Sequence, residues 1–190
     1  MPDSKSPHFI LASASPRRLQ LLQQLGLTPD DILPANVDET PLKTELPDAY
    51  ALRIASAKAA LTAEKNPASI ILAADTVVAA GRRILPKAED EKTARACLAL
   101  LSGRRHRVYT AISVGTRSKL VMTQVRFSRL NKDEIEAYIA TGEWHGKAGG
   151  YAIQGAAAAF IPFISGSYSN VVGLPLAETS AMLKQAGLSW

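Results

Sequence analysis

The chain has 190 residues, of which 47% are apolar, 21% charged and 6% aromatic, the mix of a globular domain long enough to bury its own core. No apolar run approaches the ~20 residues that cross a bilayer, and a single cysteine, Cys97, excludes an internal disulfide framework and fits a reducing, cytoplasmic setting. The net charge of +5, with arginine pairs at Arg17-Arg18, Arg82-Arg83 and Arg104-Arg105, points to an anionic partner without separating a nucleotide from a nucleic acid.

The first eight residues, with Pro2, Ser4 and Pro7, lack the apolar segment of a secretory leader and read as a flexible tail, leaving 9–190 as one domain. Phe9-Ile10-Leu11-Ala12 then reads as a buried strand that runs into Ser13-Ala14-Ser15-Pro16-Arg17-Arg18. A helix over 16–25 follows, because Leu19, Leu22 and Leu25, with Leu21 beside them, form one apolar stripe. Ser15 stands at the N-cap and Pro16 where a missing N–H costs nothing. Two arginines in this first turn oppose the helix dipole, where a helix built for stability alone would carry Asp or Glu. With the free N–H groups of that end, they read as a phosphate site; a surface helix with two solvated arginines is the blander alternative.

Helical periodicity returns over 48–65, 90–102, 132–141 and 175–186, and Gly26, Gly103, Gly142 and Gly187 follow helix ends as C-terminal caps do. Asp90 and Asn131 are candidate N-caps, the latter with Glu134 completing a capping box. Cys97 falls in the stripe Ala94, Cys97, Leu98, Leu101 and reads as core. Strand-like runs occupy 69–79, 107–115, 120–128 and 158–164, with the second and third joined as a hairpin by Thr116-Arg117-Ser118-Lys119. This alternation predicts an α/β fold around a mixed sheet.

Asp75 stands within Ile70-Ile71-Leu72-Ala73-Ala74-Asp75-Thr76-Val77-Val78, otherwise a buried strand. A carboxylate there requires a cation, a metal or several donors, and at a central strand's end it would open into a cleft. The structural alternative is an ion pair across the sheet. Lys58, among Ala55, Ala57 and Ala59, Lys87 after Pro86, and Lys147 in Gly146-Lys147-Ala148-Gly149-Gly150 could line the same cleft, although each alone is more often solvated. Glu39, in Val37-Asp38-Glu39-Thr40, is an acid that could share a divalent metal with Asp75. His8, His106 and His145 lack metal-ligand spacing, and no P-loop, dinucleotide fingerprint or serine-hydrolase elbow is present. In the segment KAGGYAIQG, residues 147–155, glycines permit close approach to a ligand, while Tyr151 offers an aromatic body and Gln154 an amide. Its oxygen can accept N3–H of uracil or thymine while its NH2 donates to O4; flipped, it would serve cytosine. A glycine-rich structural turn explains the segment equally well.

Together these segments resemble the Maf family of nucleoside triphosphate pyrophosphatases, through LASASPRR at 11–18, VDET at 37–40, RIASAKA at 53–59, LAADTVV at 72–78, LSGRRHRV at 101–108, TGEWHGKAGGYAIQG at 141–155 and ISGSYSNVVGLPL at 164–176. The resemblance implies an α/β fold with an elongated mixed sheet flanked by helices and a cleft between two lobes. It implies metal-dependent hydrolysis of a nucleoside triphosphate to monophosphate and pyrophosphate, with Mg2+ or Mn2+. The YAIQG form is similar to the branch acting on dTTP and UTP.

Carried over by residue, Asp75 matches the catalytic carboxylate that activates water, and Arg17, Thr76 and Gln154 match positions tied to substrate choice. Arg18, Lys58 and Lys87 match cations around the phosphates, with Lys147 in the same cleft. Glu39, with Asp75, matches the metal side. Gln20, where an acid commonly follows the arginine pair, and Leu85-Pro86-Lys87-Ala88, in place of a Gly-Lys-Pro order, depart from the pattern. A homodimer is expected by resemblance alone. The rivals are a nucleotide-sensing or nucleic-acid-binding inhibitor of septum formation, and a pyrophosphatase for another base such as 7-methyl-GTP. Few aromatics and basic pairs scattered along the chain argue against a stable nucleic-acid complex.

Overall fold

The computed structural model describes residues 7–190, so most of the expected tail lies outside the described residues. The chain opens with β1 (Phe9–Leu11), which leads into α1 (Pro16–Gln24), then β2 (Asp31–Ile32) and the long α2 (Pro47–Lys65). Next come β3 (Ile70–Ala80), β4 (Arg83–Leu85), β5 (Lys87–Ala88) and α3 (Glu91–Leu101). The hairpin β6 (Arg105–Val114) and β7 (Arg117–Arg126) precedes α4 (Lys132–Ala140) and β8 (Lys147–Ala148). A 3-10 turn (Ala156–Phe160), β9 (Phe163–Ser165), α5 (Tyr168–Val172) and α6 (Leu176–Gln185) complete the fold.

The main sheet runs β2-β1-β3-β6-β7-β9, with β4 also on β3. It is mixed: β1 lies parallel to β2 and β3, and the other pairs are antiparallel. Eleven-residue β3 is its spine. On one edge β3 meets β1 through Ile70–Leu72 and β4 through Val78–Ala80, leaving 73–77 without a strand partner on that side. A gap therefore opens in the sheet beside Asp75 and Thr76.

Strand alternation sends Asp75 and Thr76 to opposite faces. Helix α2 covers one face: Tyr50, Ala51, Ile54 and Ala55 pack on Val77 and Ala111, and Ala59 on Ile71 and Ala73. The other face carries two separate cores. Leu72, Ala74, Ile112 and Val114 meet the leucines of α1 and Leu183 of α6. Val78, Val108 and Val125 meet Cys97, Leu98 and Leu101 of α3, Tyr138 of α4 and Tyr151. Between them lies a polar row: Thr76 Oγ1 bonds Thr110 Oγ1 at 2.9 Å, Thr110 donates to the Asn170 carbonyl, and Asn170 Nδ2 donates to Thr123 Oγ1. These two cores on one elongated sheet are the two lobes, and the cleft opens between them.

Several expectations change. Asp75 lies mid-strand, and its cleft arises from the missing neighbour strand. The run 158–164 begins as the end of the 3-10 turn, because Ala156-Ala157-Ala158-Ala159 favours helix over strand and Ala158 N–H closes on the Gly155 carbonyl. Only Phe163–Ser165 is extended. The hairpin turns at Gly115-Thr116, since Gly115 at φ 60° reverses the chain in two residues and lets Val114 pair with Arg117. Ser15 occupies the N-cap of α1 but makes no side-chain cap bond, whereas Asp90 and the Asn131–Glu134 capping box close as expected.

Candidate active site

The gap in the sheet is the floor of a cleft of about 770 Å³, a size suited to a nucleotide. Arg17, Arg18, Glu39, Lys58, Asp75, Thr76, Lys87, Lys147 and Gln154 all line it, so residues spread over 138 positions of sequence (154 less 17, inclusive) converge.

Asp75 is 5% exposed and Lys58 8%. Lys58 reaches Asp75 from α2, over the face of the sheet and not across it. Its Nζ lies 2.9 Å from Asp75 Oδ1 and 2.6 Å from Glu39 Oε1. Lys87 Nζ lies 2.7 Å from Glu39 Oε2. Asp75, Lys58, Glu39 and Lys87 thus form a chain of alternating charge. Burial alone would raise the Glu39 pKa, but hydrogen bonds and charge from Lys58 and Lys87 outweigh it and hold the group at about 2. The loop bearing Glu39 is pinned by Tyr50 Oη, which donates to the Glu39 carbonyl at 2.7 Å. Glu39 and Asp75 both direct hard carboxylate oxygens at one cation, Lys58. Among the described residues no three His, Cys, Asp or Glu side chains form a metal cluster. Two carboxylates nevertheless suit Mg2+ or Mn2+, which commonly complete their shell with water and substrate phosphate.

The two arginines that open α1 have different surroundings. Arg18 donates through Nε to the Gly173 carbonyl, through Nη1 to Ser13 Oγ and through Nη2 to Thr76 Oγ1, at 2.9, 2.9 and 3.2 Å. It ties α1 to β3 and to the loop before α6. The Arg17 side chain makes no hydrogen bond among the described residues, and its Nε is buried without a partner. Burial lowers the Arg17 pKa, and burial followed by the nearby Arg17 charge lowers that of Lys147. An unsatisfied guanidinium beside a second crowded cation is a site that gains from an anion.

On the opposite wall Lys147 donates to the His145 carbonyl, and Gln154 stands exposed at the rim. The backbone between them is folded by two consecutive left-handed glycines, Gly149 and Gly150. A Cβ on Gly149 would fall 2.8 Å from Val78 Cγ1, so only glycine lets this wall reach β3. Tyr151 Oη pairs with His106 Nε2 at 2.8 Å inside the core.

Sequence reasoning did not single out Ser13, which receives Arg18, or Glu143, which lines the cleft and accepts the Ala156 N–H at 2.8 Å. Both lie inside segments already quoted, but a serine five residues before Arg18 and an acid thirteen before Ala156 carry no local mark of the partner each one meets.

The chain matches the Maf family of Maf-like proteins over residues 8–186. A protein of Novosphingobium aromaticivorans named dTTP/UTP pyrophosphatase is 58% identical over 192 residues, covering 98% of this chain and 96% of its own length. Proteins of the same name from Rhodospirillum rubrum and a Chelativorans species are 58% and 57% identical, covering 94% and 96% of this chain and 88% and 94% of theirs. With the match spanning nearly the whole chain, this protein belongs to the Maf family.

Proposed function

We propose that this protein hydrolyses dTTP and UTP to the nucleoside monophosphate and pyrophosphate, in the cytoplasm and with Mg2+ or Mn2+. The observation that carries the reading is one cleft that joins a buried carboxylate, Asp75, to cations on both sides and to the exposed amide of Gln154. Its relatives at 57–58% identity bear the matching name.

The chemistry follows from charge. Water attacks the α-phosphorus, its proton passes to Asp75, and the α–β phosphoanhydride bond breaks to release pyrophosphate. Arg17, with its unused donors, takes phosphate oxygens directly, while Arg18 holds Thr76 and the Ser13 loop in place beside them. Lys58 and Lys87, paired with acids before substrate arrives, turn to the leaving group's charge. Lys147 adds a cation on the opposite wall. Glu39 and Asp75 would hold the divalent ion, which when bound supplies charge neutralisation on the phosphate oxygens. Gln154 reads N3–H and O4 of the pyrimidine. The reading takes free nucleotides, and no stable nucleic-acid complex, as partners; a homodimer is carried by the family resemblance alone.

A nucleotide panel with Mg2+ or Mn2+, scored for pyrophosphate against orthophosphate, tests this. Pyrophosphate from dTTP and UTP, lost in Asp75→Asn, is expected. Preference for 7-methyl-GTP would overturn the base assignment, and near-normal turnover by folded Asp75→Asn the role of Asp75. Tight binding with no turnover of any nucleotide would make the protein a sensor.

A further inference from the structure

The wall that carries Gln154 is held by a residue outside the phosphate machinery. Glu143 follows α4 and sits at the cleft, where Oε2 accepts the N–H of Ala156, the first residue of the 3-10 turn, at 2.8 Å. A carboxylate at the start of a helical turn is favourable for both hydrogen bonding and charge. The same carboxylate also occupies the space beside Gly155. A Cβ added there would overlap the Glu143 carboxylate, whose Oε1 would lie 2.8 Å away, and the three nearest atoms all belong to that carboxylate. Gly155 itself has φ −108° and ψ −154°, a backbone any residue adopts, so its lack of a side chain serves Glu143 and not the turn. The carboxylate fills the space a side chain on Gly155 would need and bonds the next residue, and Gln154 is the residue just before.

We infer that Glu143 is the positioning residue for base selection, anchoring Gly155-Ala156 so that the Gln154 amide meets the pyrimidine edge in one place. This rests on the reading that Gln154 recognises the base. Discrimination of uracil from cytosine depends on matching one acceptor and one donor, and an amide free to shift or flip satisfies either base. Glu143 therefore acts on which nucleotide is taken, through binding, and leaves the bond-breaking step alone.

The test is steady-state kinetics on UTP and CTP for Glu143→Ala, Glu143→Gln, Gly155→Ala and the double variant Glu143→Ala/Gly155→Ala, each with its melting temperature. Glu143→Ala is expected to raise KM for UTP roughly tenfold, with a smaller change in kcat, and to erase most of the preference over CTP. Glu143→Gln, whose amide oxygen still accepts the Ala156 N–H, restores the preference. Gly155→Ala displaces the carboxylate and reproduces the loss, yet adds little in the Glu143→Ala background, because their shared contact is already gone. A fall in kcat at unchanged KM, or additive effects in the double variant, would overturn the inference. Gln154→Ala separates it from the reading beneath. If Gln154→Ala leaves the preference intact, base recognition by Gln154 is wrong. If Gln154→Ala abolishes the preference and Glu143→Ala does not, only the role of Glu143 falls.

Discussion

Lys58 is the residue whose removal reports most directly on the charge chain beneath the cleft. Lys58→Met keeps the aliphatic stem packed against α2's neighbours and deletes the ammonium that bridges Asp75 and Glu39. Glu39 keeps Lys87 at 2.7 Å, so the loss falls on Asp75, which is 5% exposed. Stranding one charge of a buried pair costs about 3–5 kcal/mol, and the open cleft beside Asp75 sets about 3 kcal/mol as the working figure. For a chain of this size that is a fall in Tm of roughly 6–12 °C at pH 7. Adding Asp75→Asn removes the uncompensated charge and recovers more than half of the lost stability. Thermal melts of the three proteins at pH 7 read all of this. A Tm within about 2 °C of wild type at pH 7, or a double variant no more stable than Lys58→Met, would refute the reasoning.

Two further outcomes follow from His106 in the core and from the paired arginines at the cleft. Burial holds the His106 imidazole at about 4, below its ordinary 6.5. Between those values the unfolded chain takes up a proton that the folded one refuses, so stability falls as pH drops through the window and levels off below it, by roughly 3 kcal/mol at most. Urea midpoints against pH check this, and His106→Gln should flatten the slope; an unchanged slope would assign it to other groups. The two arginines should separate by role. Arg17→Ala leaves unfolding within about 0.5 kcal/mol of wild type but raises KM for UTP, whereas Arg18→Ala loses at least about 2 kcal/mol with its three hydrogen bonds. Urea denaturation and kinetics on the same samples would show the pattern, and the reverse pattern would exchange their roles.

The readable parts of the sequence were those where local chemistry and burial agree. The leucines of α1, the Asn131–Glu134 capping box and the glycines after four helices each act within a few residues, and all appear where expected. Asp75 was legible for the opposite reason, as a charge that its apolar strand cannot tolerate alone. Its partner was not: Lys58 is 17 residues away on a covering helix, and a strand pattern does not say what lies above the sheet. The origin of the cleft, an edge of β3 left bare between β1 and β4, depends on two pairings of three residues each, whose registers no sequence pattern announces. The separation of Arg17 from Arg18 was equally hidden, since adjacent arginines look alike until Gly173 and Ser13 are brought against one of them. Glu143 sits inside the quoted TGEWHGKAGGYAIQG segment, yet nothing local tells that it meets Gly155 and Ala156, a dozen residues on.

The most direct single measurement is turnover of UTP in water enriched in heavy oxygen, with mass analysis of both products from the wild type and from Asp75→Asn. Attack at the α-phosphorus places the heavy oxygen in UMP and none in pyrophosphate, and Asp75→Asn, although folded, forms neither product at an appreciable rate. Heavy oxygen in the pyrophosphate, or orthophosphate and UDP as products, would mean that water attacks a different phosphorus and would contradict the arrangement of cations and carboxylate derived for this cleft.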